Sequence, residues 1–94
     1  MGKVTSIVVE DMEHCLVCGS PYIQVHHCMH GTANRKMADK YKLVVPLCLA
    51  HHTGQQGVHK NSEFDLVIKQ MAQAEFEKRY SREKWLEVFN KSYL

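Results

Sequence analysis

Four cysteines and seven histidines all fall between His14 and His59 of a chain of 94 residues. Two pairs have the spacing of metal knuckles: Cys15-x2-Cys18, followed by Gly19, and Cys48-x2-His51. Tetrahedral zinc takes four thiolate or imidazole ligands, and two knuckles of x2 spacing supply them in pairs. Gly19 suits the tight turn that a knuckle needs. The pairs stand 29 residues apart, room enough for an inserted β-hairpin. Cys28 is left over. It could replace Cys48, but without an x2 partner it reads as a buried structural cysteine.

A second set of histidines has another pattern. His26 and His27 are adjacent on an extended segment, so their rings leave opposite faces. One can bind a metal while the other addresses a different target. His52 follows the knuckle ligand His51 directly, which fixes its place. His59 comes after Gly54-Gln55-Gln56-Gly57. On one continuous helix, His52 and His59 would be about 10 Å apart along the axis, too far for one ion. The two glycines argue instead for a loop that turns both imidazoles inward. A third feature is the basic stretch Arg35, Lys36, Lys40 and Lys42, a candidate rim for contacting phosphates.

These groups must be positioned by short elements. Lys3–Glu10, rich in Val and Ile, is expected as a strand, followed by the cysteine turn Glu13–Ser20. Tyr22–His27 is expected as a strand with Tyr22, Gln24 and His26 on one face and Ile23, Val25 and His27 on the other. Cys28–Lys40 is polar, carries Gly31 and reads as a loop. Lys42–Pro46 is expected as a second short β segment stopped by its proline, and Leu47–Lys60 as a turn region. A helix is expected from Ser62, with Ser62-x-x-Asp65 as its N-cap signal and Phe64, Val67, Ile68, Met71 and Ala72 as its apolar stripe. A second helix is expected from Ser81, burying Trp85, Leu86 and Phe89.

Composition frames these features. The chain is 45% apolar and 23% charged with five Gly and two Pro, which argues against disorder and low complexity. One domain spanning 1–94 is expected, with the metal-ligand region at 15–59 and helices over 62–94. A chain this short benefits from a metal staple. Net charge is +2 overall. Residues 1–13 carry −2, residues 14–60 carry +4 and residues 61–94 carry none, so the His/Cys-rich segment is also the basic one. Lys78, Arg79, Arg82 and Lys84 alternate with acids and read as a solvated helix face. No apolar run approaches a membrane span, and the first residues lack the apolar core of a signal peptide. Met1-Gly2 with Ser6 fits only a loose myristoylation pattern. A reducing, intracellular compartment is therefore expected, with metal ligation rather than disulfides.

Cys15-x2-Cys18-Gly19, Val25-His26-His27 and Pro46-Leu47-Cys48-x2-His51-His52 with a downstream His59 resemble the HNH endonucleases, the ββα-metal family. The Pro-Leu-Cys-x2-His-His string is also similar to the nuclease half of phage recombination-enhancement proteins. The C-terminal segment, with Trp85, Phe89 and Asn90-Lys91-Ser92-Tyr93-Leu94, resembles small phage-encoded members. The resemblance covers Cys15 to about His59. It implies an α+β fold: a small zinc-stapled ββα-metal domain with an N-terminal strand and C-terminal helices. It implies His26, His52 and His59 as ligands of a catalytic divalent ion (Mg2+, Mn2+, Ni2+ or Zn2+), and His27 as general base. Cys15, Cys18, Cys48 and His51 then hold a structural Zn2+. Two positions depart from the family pattern. Leu43 stands where the family's central Asn is usual, with Asn34 and Asp39 as nearby substitutes. Six residues separate His52 from His59, where the family places its two ligands on one helix turn.

The activity implied is hydrolysis of DNA phosphodiester bonds, leaving 5′-phosphate and 3′-hydroxyl ends, in a cytoplasmic protein of bacterial or phage origin. RNA stays open as a substrate, and a recombinase is the implied protein partner. The alternative is a nuclease-inactive zinc module that binds nucleic acid or a recombination protein. A zinc hydrolase of another class is disfavoured, because no carboxylate stands at a spacing such as His-Glu-x-x-His.

Overall fold

The computed structural model describes residues 4–54 and 57–94; Met1, Gly2 and Lys3, with the myristoylation pattern and the expected start of the first strand, lie outside them. Its order is β1 (Ile23–His27), α1 (Thr32–Tyr41), β2 (Val44–Cys48), α2 (Leu49–His52), a 3-10 turn (Val58–Lys60), α3 (Ser62–Arg79) and α4 (Arg82–Phe89). The architecture is α+β. The strands pair antiparallel, with Ile23 opposite Cys48 and His27 opposite Val44. No described helix is long and apolar enough to cross a membrane.

Several expectations change. The segment Lys3–Glu10 forms no strand in its described part. It runs along the outer edge of β2, but Ser6 Oγ donates to the Val44 carbonyl at 2.6 Å and the Ile7 amide to the Lys42 carbonyl at 3.1 Å. A side chain thus takes one place that a ladder amide would fill. Pro46 does not stop β2 but sits at its centre, opposite Val25. Its carbonyl faces away from β1 and accepts from the Leu16 amide at 2.8 Å. Its missing N–H therefore falls on the outer edge, where no β1 partner is lost.

The expected loop Cys28–Lys40 contains α1. This helix starts on Gly31 without a side-chain cap and ends on Lys42, whose φ of 59° and ψ of 42° are left-handed. Ala38 is buried, and Met37 and Tyr41 pack against the core. The Tyr41 ring meets Phe76 of α3 at 5.1 Å between centroids. Three apolar positions at helical spacing suffice to hold α1 in place, and its polar remainder faces solvent.

α3 begins at Ser62, but its cap is Asn61, whose side chain accepts from the Phe64 amide at 3.1 Å. Asp65, the expected capping partner of Ser62, turns elsewhere. The buried line on α3 is Ile68, Ala72, Gln73 and Phe76, while Val67 is half exposed. α4 is capped by Ser81 and buries Trp85 and Phe89, but Leu86 stays exposed. Trp85 stacks on Phe89 at 4.3 Å and meets Phe76 edge-on at 5.4 Å. Its indole N–H donates to the Lys91 carbonyl at 2.8 Å, and buried Gln73 accepts from the Tyr93 amide at 2.7 Å. The chain's last residues are thereby fastened to the helices. One apolar cluster links Cys15 and Cys48 to Leu47, Ile68, Phe76 and Trp85, so the sheet's metal-ligand end and the helical end share one core.

Candidate metal centres

The four knuckle residues come together as their spacing predicts. Ligand atoms of Cys15, Cys18, Cys48 and His51 all lie within 4.8 Å of one another. The Cys18 and Cys48 sulfurs are 3.7 Å apart, close to the ~3.8 Å edge of a tetrahedron with Zn–S bonds of ~2.3 Å. His51 presents Nδ1, 3.1 Å from Cys48 Sγ and 3.8 Å from Cys15 Sγ. The first knuckle is a tight turn: the Gly19 amide donates to the Cys15 carbonyl at 2.9 Å, and Gly19 takes a φ of 77°. The Leu16 amide on Pro46 fixes this turn beside β2. Burial works to raise the Cys15 thiol, yet the backbone amides of Cys48, Cys18 and Val17 bring it down to about 6. The Ser20 amide favours a Cys18 thiolate, but lost hydration and the Cys48 and Cys15 sulfurs hold that thiol above its ordinary value. One thiolate forms readily and the next resists, a charge conflict that a bound cation relieves. This cluster can hold a metal ion, and its donor set suits zinc. Cys28 is fully buried in the core and outside the cluster; burial, then the Asp65 charge, push its thiol up to about 12.

A second centre lies across α2. Successive helical side chains diverge by about 100°, so His51 turns to the cysteines while His52 turns to β1. The face alternation read for β1 holds there. The ring of His52 lies 5.2 Å from that of His26, and its Nδ1 bonds to the Gln24 side-chain oxygen at 2.7 Å. The 3-10 turn brings His59 to 5.2 Å from His26 and 4.8 Å from His52. Ligand atoms of His26, His52 and His59 lie within 4.8 Å of one another. Gly57 makes this approach feasible, since a Cβ there would stand 2.6 Å from the His52 carbonyl oxygen. Gln55 and Gln56 of that connection lie outside the described residues.

His26 is 2% exposed, and its Nε2 is the buried side-chain polar atom without a hydrogen-bond partner among the described residues. A buried imidazole nitrogen left unbonded is costly unless something binds it. Burial, then the nearby His30, His52 and His59 rings, lower its pKa to about 3. Burial, then His59 and His27, lower that of His52 as well. Both rings are neutral at pH 7, the state in which imidazole ligates. The residues therefore fit a divalent ion.

His26, His27, Met29, His30, Thr32, Arg35, His52 and His59 line one cleft of about 410 Å3. His27 leaves the opposite face of β1 from His26, as alternation requires, but still reaches the cleft rim. Its Nε2 donates to Asp39 Oδ1 at 2.6 Å, which leaves Nδ1 free. Of the two acid or amide residues considered beside Leu43, Asp39 meets His27, whereas Asn34 has no such bond among the described residues. Of the four basic candidates, only Arg35 lines the cleft. Lys36, Lys40 and Lys42 are exposed and do not line it. Lys40 instead lies over the Tyr41 ring at 5.5 Å.

Three residues outside the sequence-based site candidates join the cleft or its ligands: His30, Asp65 and Gln24. His30 lines the same cleft, its ring 5.4 Å from His26, and its Nε2 meets Asp65 Oδ1 at 2.6 Å. Lys69 holds the other Asp65 oxygen at 2.9 Å. Gln24 was placed on the His26 face, which was the available signal for its contact with His52. No local pattern links His30 to Asp65, which meet only because the start of α3 returns beside the segment after β1. Comparison with family models, curated proteins and solved structures gives no match to this chain.

Proposed function

We propose that this protein is a metal-dependent endonuclease or nickase that hydrolyses DNA phosphodiester bonds. The observation that supports it best is the unpartnered, buried Nε2 of His26, ringed by His52 and His59. It shares a cleft with His27 and Arg35. Hydrolysis of a phosphodiester needs an activated water, shielding of the phosphate charge and help for the leaving oxygen. A divalent ion bound by His26, His52 and His59 would supply the charge for the last two.

The chain's own groups divide the remaining work. Asp39 holds the His27 ring through Nε2–H and directs Nδ1 at the water. His27 Nδ1 takes the water proton as the oxygen attacks phosphorus. The bond from phosphorus to the 3′ oxygen breaks, and that oxygen takes a proton from solvent water while His27 returns its own to solvent, leaving a 3′-hydroxyl and a 5′-phosphate. Arg35, in the first turns of α1, contacts a non-bridging oxygen of the same or a neighbouring phosphate. The contacts are to backbone, so weak sequence preference is expected. One such centre cuts one strand. Cys15, Cys18, Cys48 and His51 would hold a zinc that takes no part in the reaction, and their gathering keeps α2 where His52 faces His26.

The test is nicking of supercoiled plasmid by purified protein given Mg2+, Mn2+ or Ni2+. Wild type nicks, and His27→Ala does not while keeping its zinc and its melting temperature. A wild-type protein that binds DNA without nicking under any of these ions, with or without a recombinase, overturns this reading and leaves a nucleic-acid-binding zinc module.

A further inference from the structure

Two ligand sets, not one, converge on His26. The first is His26, His52 and His59. The second is His26, His30 and Asp65, whose ligand atoms also lie within 4.8 Å of one another. The first draws on α2 and the 3-10 turn, the second on the segment after β1 and the first turn of α3. The His59 ring is 5.7 Å from His30 and 4.8 Å from His52. His26 Nε2 is buried and without a hydrogen-bond partner among the described residues, so an ion in either set would claim it.

A single imidazole nitrogen binds one ion at a time, so the two sets exclude each other. They also differ in chemistry. Three imidazoles suit Ni2+ and Zn2+, whereas a carboxylate favours harder Mn2+ and Mg2+. His30 Nε2 and Asp65 Oδ1 are 2.6 Å apart, a direct hydrogen bond that an incoming ion must open. For His30 to ligate through Nε2, its ring proton must move to Nδ1. Lys69 keeps hold of the second Asp65 oxygen and leaves Oδ1 directed at the ion.

We propose that the cleft carries one divalent ion in either of two overlapping positions that share His26. His52 and His59 complete the position for Ni2+ or Zn2+; His30 and Asp65 complete it for Mn2+ or Mg2+. The identity of the ion then sets where it stands relative to His27. This assignment rests on His26 being a metal ligand, as in the function proposed above, but not on nuclease activity.

The experiment is metal titration of the full chain with its structural zinc in place. Free Mn2+ is followed by its paramagnetic resonance signal and Ni2+ by visible absorption, in wild type, Asp65→Asn, His30→Asn and His52→Ala. Wild type takes up one Mn2+, and Ni2+ displaces it. Asp65→Asn and His30→Asn weaken Mn2+ at least tenfold and leave Ni2+ within threefold, which also shows that they fold. His52→Ala does the reverse. Equal weakening of both ions in all variants, or Mn2+ and Ni2+ bound together, overturns the two-position assignment and leaves the three-histidine site standing. If wild type binds neither ion, both fall.

Discussion

Replacing Cys18 by serine isolates what the zinc staple contributes. Cys18 is the exposed cysteine of the four, so the change removes a ligand without opening a hole in the core. The link from Cys18 to Cys48 closes a loop of 30 residues. Applying the chain-entropy relation for cross-links to a loop of that length gives about 3.6 kcal/mol of stability at 25 °C. For a domain of this size, each kcal/mol moves the melting temperature by about 4–8 °C. Cys18→Ser is therefore expected to melt roughly 15–30 °C below wild type, and a strong chelator should bring wild type down to the same temperature. Far-UV circular dichroism reads the helices, and fluorescence of the buried Trp85 reads the helical end of the core. Because Cys15, Cys48 and Trp85 belong to one apolar cluster, the two signals should fall together. A Cys18→Ser protein that has lost its zinc yet melts with wild type would refute the staple. A transition seen by dichroism but not by Trp85 would refute the shared core.

Other outcomes follow from the same contacts. His27→Ala should lose about 10²–10⁴-fold of the nicking rate, and Asp39→Asn a smaller part, with zinc content unchanged in both. Gly57→Ala should cut divalent-ion uptake by the histidine cleft while sparing the zinc, since its Cβ must push the 3-10 turn away from the His52 carbonyl; an unchanged Ni2+ titration would contradict this. Asn61→Ala should cost about 1 kcal/mol in denaturant unfolding through loss of the α3 cap. In the protein without its cleft ion, the His26 pKa of about 3 lies below its unfolded value near 6.5. The unfolded chain then binds the extra proton between these values, so stability is full above pH 6.5 and falls as pH drops toward 3. One proton sets a slope of at most about 1.4 kcal/mol per pH unit between those values. His26→Gln should remove that component of the slope.

The metal chemistry was more legible than the fold. The x2 spacings identified Cys15, Cys18, Cys48 and His51 because a knuckle is local, and strand alternation separated His26 from His27 for the same reason. Gly54 and Gly57 announced a sharp return to His59. α1 was hidden because it begins on Gly31 without a capping side chain and presents few apolar residues; Tyr41 reveals its purpose only once Phe76 is packed against it. Pro46 misled because its effect depends on which edge of β2 faces a partner. Asp39 offers only a loose substitute for the central Asn of the resemblance, and Asp65 only a helix-cap signal with Ser62. Their meaning lies in contacts to His27 and His30, residues 12 and 35 positions away, and such distances are fixed by docking of helices rather than by any run of sequence.

Anomalous diffraction from crystals grown with excess Ni2+ bears most directly on the claim that imidazoles from three elements meet at one cation. The expected result is two peaks, one among Cys15, Cys18, Cys48 and His51, the other about 2.0–2.2 Å from nitrogens of His26, His52 and His59. A map with only the first peak, and His26 Nε2 still facing no ligand, would contradict the account.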